Sequence, residues 1–244
     1  MPTDKVVLIT GAAHRLGAAM ARHLHEAGMR IVLHYRHSVE AAQSLKDELE
    51  ATRPDSVALV AGDLLDVNRL EDIIAESIAA WGQLDVLINN ASTFYPTPLG
   101  SVTLDQWDDL MGTNLRAPFF LAQAAAAELT RREGCIVNIV DIHADRPLKD
   151  HPVYSMAKAG LVMLTRSLAR ELGPAVRVNA IAPGAILWPE NMDADTQAQI
   201  VERTALKRTG HPQDIADAAL YLIDKADYMS GQVLTVDGGR TLGN

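Results

Sequence analysis

Tyr154 and Lys158 stand four residues apart in the run YSMAK. On a helix that spacing puts both side chains on one face, so an ammonium can stand beside a phenol. An unperturbed tyrosine titrates near pH 10 and is a poor acid at neutral pH, whereas a neighbouring cation favours the phenolate and draws the pKa down. The pair is a candidate for giving a proton to a reacting group. Taken alone, the same spacing also fits a surface tyrosine with a helical lysine neighbour.

A second cluster lies near the start. Thr10-Gly11 closes a strand-like run and Gly17 follows inside a helix that begins near Arg15, in TGAAHRLG. A first glycine permits a tight turn, a later one lets helix and strand pack, and the helix N-terminus favours a pyrophosphate. The pattern resembles a dinucleotide turn with Arg15 at the middle glycine position. At the end of the second strand the chain reads His34-Tyr35-Arg36-His37-Ser38, with no carboxylate for ribose hydroxyls. A carboxylate about 5 Å from a phosphate costs on the order of 3 kcal/mol at an effective dielectric near 20. Arg36 with Ser38 suits a 2′-phosphate instead, which favours NADPH over NADH. Asp63, in GDLLD, is placed to accept from an adenine amino group; an Asp after a strand is also common turn chemistry.

These groups need a frame. Short β-branched runs alternate with amphipathic stretches: KVVLIT, 15–26, IVLHY, 39–51, SVALVAGD, 68–80, LDVLINN, then Ala-rich 114–131 and 152–172 interleaved with CIVNIV, VRVNAIA and QVLTVDGG. Seven continuous apolar strands predict one α/β domain over 1–244, a doubly wound parallel sheet with helices on both faces. The irregular stretch from Pro183 to about Asp195, centred on Trp188 and Pro189, reads as a lid-like substrate loop, extended to about 185–209.

Bulk properties narrow the classes further. A formal net charge of -9 over 244 residues leaves no basic footprint for nucleic acid. The single Cys135 sits in an apolar run and reads as a buried inert thiol. No charge-free apolar window reaches membrane-spanning length, no leader-like segment opens the chain, and a cytoplasmic location is expected. The histidines show no ligand spacing, so no metal is expected.

Together TGAAHRLG, NNAS at 89–92, Asn114, YSMAK, Pro183-Gly184 and VDGG resemble the short-chain dehydrogenase/reductases, in order and across nearly the whole chain. The resemblance implies a nicotinamide cofactor held by Gly11, Arg15, Leu16, Tyr35, Arg36, His37, Ser38, Asp63, Leu64, Asn90, Ala91, Ser92, Tyr154, Lys158, Pro183, Gly184 and Ile186. It also implies a homotetramer, and a catalytic set of Tyr154, Lys158 and Asn114, with Asn114 supporting a water chain. Where that family usually has serine, thirteen residues before the tyrosine, this chain has Asp141. Asp141, Arg15, HYRHS and NNASTFYPTPL resemble the pteridine reductases. In that subfamily Phe94 would stack on a pterin, Ser92 and Arg15 would make polar contacts, and Asp141 would orient the ring or relay a proton through Tyr154.

Three functions stay open on these residues. One is reduction of a pterin, dihydropterin or dihydrofolate by NADPH. A second is general carbonyl reduction, for instance of a 3-oxoacyl thioester, for which an ionised Asp141 is a poor stand-in for a hydroxyl. The third is a nucleotide-binding protein that no longer turns over, against which the intact Tyr154 and Lys158 argue.

Overall fold

The computed structural model describes residues 4–188 and 192–243; Pro189, expected at the centre of the substrate loop, lies outside the described residues. Seven strands form one parallel sheet: β1 (Val6–Ile9), β2 (Arg30–Tyr35), β3 (Val57–Ala61), β4 (Val86–Asn89), β5 (Cys135–Ile139), β6 (Arg177–Pro183) and β7 (Val233–Val236), in the order β3-β2-β1-β4-β5-β6-β7. Strands β1, β4 and β5 are buried along their full length, which is why they read as unbroken apolar runs.

Successive side chains of a strand point to opposite faces, and each face has its own helical layer. On one face Val7, Ile9, Leu33 and Ile88 pack against Met20 and Leu24 of α1 (Arg15–Glu26), Leu45 of α2 (Val39–Glu50), and Ile215 and Leu222 of α8 (Pro212–Asp224). On the other, Val6, Leu8, Val32 and Leu87 meet Leu70 and Ile73 of α3 (Arg69–Ala79) and Leu121 and Leu129 of α5 (Ala117–Arg132). Burying each such side chain contributes about 1.5 to 3 kcal/mol. The connection reverses direction between the adjacent strands β1 and β4, so a crevice opens outside their carboxyl ends.

Three features differ from the sequence expectation. The helix expected over 114–131 begins earlier: α4 (Leu104–Met111) leads into one π-helical turn, Gly112–Arg116, before α5. Thr103 and Gln106 close a reciprocal capping box at the start of α4. The expected loop over 185–209 contains α7 (Ala194–Glu202), whose first turn is capped by Asp193 accepting from Thr196 N at 2.8 Å. Helix α8 starts at Pro212 behind the capping residue His211. By contrast α6 spans Pro152–Leu172, the range read from the sequence.

A buried polar chain ties α6 to the sheet. Asn89 Nδ2 donates to Asn138 Oδ1 at 2.8 Å, Asn138 Nδ2 donates to Thr165 Oγ1 at 2.9 Å, and Thr165 Oγ1 donates to Leu161 O at 2.8 Å. Removing one member strands a buried amide. Thr165→Val is therefore expected to lower unfolding stability by about 1 to 3 kcal/mol. Urea unfolding measures it, and a change under about 0.5 kcal/mol would show that this chain does not secure α6.

Candidate functional site

The turn after β1 is built by steric closeness. Gly11 has φ +63°, in the left-handed region that favours glycine, and a Cβ there would stand 3.1 Å from Ala91 Cα. At Gly17 a Cβ would collide with Gly11 O and fall 2.8 Å from Asn90 Nδ2, so no larger residue fits without moving the turn. Thr10 Oγ1 accepts from Asn90 N and Ala91 N at 2.9 and 3.0 Å, and Asn90 Nδ2 returns a bond to Thr10 O at 2.8 Å. Arg15 holds φ +52° where the dinucleotide pattern carries glycine, a conformation costing about 1 to 2 kcal/mol for a residue with a Cβ.

The N-terminus of α1 is open to an anion. His14 makes no side-chain cap and the first turn carries no acidic residue. It faces a cleft of about 360 Å³ lined by Gly11, Arg15, Leu16, Asp63, Leu64, Asn90, Ala91 and Ser92, all expected, and by His14, His34 and Thr113, which were not. Arg36 lines the cleft as well and pairs with Asp63 at 3.0 Å. Tyr35, His37 and Ser38 do not line it: Tyr35 is the last residue of β2 and Ser38 precedes α2 as its N-terminal flank.

His34 props this turn from below. Its Nδ1 accepts from Gly11 N at 3.3 Å and its Nε2 donates to Gly62 O at 3.2 Å, which requires the neutral ring with the proton on Nε2. Burial is the main cause that pushes its pKa down to about 4.

A second cleft, about 560 Å³, adjoins the first and holds the reactive groups. Asp141, just past β5, turns Oδ1 to His143 N at 2.8 Å, and Oδ2 accepts the Tyr154 hydroxyl at 2.8 Å. One turn along α6, Lys158 Nζ donates to Ile139 O at 2.9 Å and lies 5.7 Å from the Tyr154 ring centre. The spacing suggested a lysine that lowers the tyrosine pKa. Instead burial first, and the Asp141 carboxylate second, push the phenol well above its ordinary range. Burial holds the Lys158 ammonium down at about 8. Tyr154 is thus a firmly protonated phenol aimed at a carboxylate.

Asn114 lies in the π-turn, fully buried, and lines neither cleft. Its Nδ2 donates to Leu110 O at 2.9 Å and Thr93 O at 3.0 Å while Oδ1 accepts from Ser92 Oγ at 2.6 Å, so it shapes the 92–93 segment. Phe94 stacks on His151 (4.8 Å between ring centres, 13° between planes), meets Tyr154 edge-on and stays 43% exposed. Pro183, Gly184 and Ile186 line the wall, joined by Leu187, Trp188, Met192, Ile200 and Arg240. Arg15 borders both clefts and its Nη2 donates to Leu187 O and Trp188 O at 3.4 Å each.

The profile of the family described as Enoyl-(Acyl carrier protein) reductase matches residues 11–241. Pteridine reductase 1 of Leishmania tarentolae is 36% identical over 282 residues, covering 99% of this chain and 98% of its own length. This chain belongs to the short-chain dehydrogenase/reductase family. Other relatives in that family are nearly as similar: a ketoacyl reductase of the granaticin polyketide synthase of Streptomyces violaceoruber (37% over 251 residues, 99% and 98% covered) and the 3-oxoacyl-(acyl-carrier-protein) reductase FabG of Staphylococcus aureus (34% over 244 residues, 98% and 99%). Short-chain dehydrogenase/reductases are oxidoreductases that use nicotinamide cofactors. The cleft at the β1/β4 reversal fits one: the turn approaches closely only because Gly11 and Gly17 lack a Cβ, and the α1 N-terminus is uncapped by side chains.

His34, His151 and Arg240 were not singled out as site residues. Only the position of His34 and Arg240 near strand ends could have flagged them, and His151 meets Phe94 through tertiary packing alone. An unfolded-chain histidine protonates near 6.5, whereas folded His34 stays neutral to about pH 4. The unfolded state therefore binds more protons in that window, so stability falls as pH drops from 6.5 toward 4, by up to about 3 kcal/mol, and does not change on this account above 6.5. His34→Gln should flatten that acid limb, read from urea unfolding between about pH 7 and 4.5; an unchanged slope would mean another group carries it.

Proposed function

We propose that the protein is an NADPH-dependent pteridine reductase. The observation that carries this reading is the Asp141 carboxylate, held by His143 N and accepting the Tyr154 hydroxyl, beside the exposed ring of Phe94 in the same cleft. An aminopyrimidine edge offers N–H donors, which a carboxylate accepts, whereas a keto oxygen offers only lone pairs, which a carboxylate repels. A flat heteroaromatic ring gains about 0.5 to 1.5 kcal/mol from stacking on phenylalanine, beyond area burial.

Gly11, Arg15, Leu16, Asn90, Ala91 and Ser92 would hold the dinucleotide, with Arg36 toward a 2′-phosphate. Asp63 now faces Arg36, so the phosphate competes with that exposed pair, whose own strength is of order 0 to 1 kcal/mol. When bound, NADPH supplies the hydride. Lys158, fixed on Ile139 O, stands under the cleft floor where it can meet the ribose, and Pro183, Gly184 and Ile186 close the wall beside it. Tyr154 holds the transferable proton on its hydroxyl. Ring N–H groups that engage Asp141 Oδ2 take the place of that hydroxyl and free it to protonate the ring nitrogen, so binding of the right edge arms the acid.

The 3-oxoacyl thioester reading is supported by the similarity to the ketoacyl reductases. Turnover of NADPH with dihydrobiopterin, dihydrofolate and a 3-oxoacyl thioester, side by side in the wild type and Asp141→Ser, separates the two. The pterins are expected to react selectively and to lose about 100-fold or more in kcat/KM on substitution. A thioester preference that improves in Asp141→Ser would reject the pterin reading. Arg36→Ala is expected to weaken NADPH binding about tenfold and NADH binding little, as calorimetry would show; equal losses would deny Arg36 the phosphate role.

A further inference from the structure

The cleft wall carries a cation that no motif explained. Arg240 follows the turn after β7 and shares the cleft with Asp141, Phe94 and Tyr154. Strand β7 lies two places from β5 in the sheet, so Arg240 and Asp141 enter the same cleft from the ends of different strands. Met192, Trp188 and Ile200 line the same cleft and supply apolar surface.

The guanidinium is partly buried and poorly matched by the protein. Its Nη1 donates to Ile200 O at 3.2 Å, and no carboxylate among the described residues pairs with it. The nearby Asp237 is committed elsewhere, accepting from Gly239 N at 2.9 Å and from Thr241 N and Oγ1 at 2.8 Å each. Burial first and the charge of Arg203 second hold the Arg240 pKa below its usual value, with the Asp237 carboxylate opposing them. In a chain of net charge -9, a partly buried arginine near a second arginine, with no salt bridge among the described residues and on a ligand wall, suits an anion from outside.

Resting on the pterin reading of the cleft, we infer that Arg240 receives an anionic tail of the substrate, a carboxylate or phosphate group carried several bonds from the ring. The preferred substrates are then dihydropterins with an acidic tail, as in dihydrofolate, over those with neutral side chains such as dihydrobiopterin. Arg240 is a specificity residue; Asp141 and Tyr154 serve both kinds of substrate alike.

The test compares the two substrates in the wild type, Arg240→Gln and Arg240→Lys. A charged hydrogen bond of the usual strength predicts a KM for dihydrofolate raised about tenfold or more in Arg240→Gln, at least fivefold beyond any change for dihydrobiopterin, with partial recovery in Arg240→Lys. Equal changes for both substrates would make Arg240 a structural support and overturn the inference. A dihydropterin phosphate ester run alongside tells whether carboxylate or phosphate is the better fit. Calorimetric binding of p-aminobenzoyl-glutamate, against its uncharged p-aminobenzamide counterpart, needs no pterin chemistry. Loss of that binding in Arg240→Gln without any pterin turnover would uphold the anion site and reject the pteridine reductase reading, and binding that ignores the substitution would reject the anion site.

Discussion

The structure hangs on a close approach: the turn after β1 presses against the end of β4, and Gly11 and Gly17 leave no room for a Cβ there. Gly17 touches Gly11 O and Asn90, Gly11 touches Ala91, and Thr10 and Asn90 lock the approach with hydrogen bonds in both directions. Because the sheet reverses its winding here, the closeness that packs α1 onto the sheet also clears the crevice above it. His34 braces the same turn from β2, and a neutral ring is the only form that can accept from Gly11 N and donate to Gly62 O together. Arg15 leaves this turn in a strained conformation and reaches the carbonyls of Leu187 and Trp188, so one residue spans the two clefts. Strain kept at such a place is the kind that surrounding structure imposes for a site.

Much of this was legible in the sequence, for definite reasons. The strands are buried on both faces, so their apolar runs are continuous; α6 opens on Pro152, and α1 and α6 each carry a regular apolar face. Helix α4 is not evident from periodicity although Thr103 and Gln106 form a readable capping box, because eight residues fall short of the span over which a helical period shows. The π-turn at Gly112–Arg116 has no such signal: the wider turn is set by packing around the buried Asn114, and periodicity does not show it.

The site was legible by residue but not by electrostatics. Tyr154, Lys158, Asp141 and Phe94 do share a cleft. Helical spacing put the lysine beside the tyrosine, yet spacing says nothing of burial or of a carbonyl that competes for the ammonium. Ile139 O takes Lys158 Nζ, and Asp141, distant in sequence by a whole loop, faces the phenol. The sign of the tyrosine shift follows from burial first and from the Asp141 carboxylate second. Of the run HYRHS, Arg36 and His34 reach the first cleft while Tyr35 does not, because a strand alternates its faces.

The carboxylate at Asp141 gains its meaning from geometry more than from charge. A serine there could turn its hydroxyl toward an acceptor, as a carbonyl substrate requires. Asp141 has no such freedom, since His143 N pins one oxygen and the other looks at Tyr154, so the site presents an acceptor in a fixed direction. A ligand that satisfies it brings donors, and on the proposed reading the exposed ring of Phe94 would pair with a flat aromatic system that carries them on its edge. On the proposed reading, Asp141 accepting at one place and Arg240 elsewhere in the same cleft would suit a molecule with a donor edge and an acidic tail better than a simple ketone.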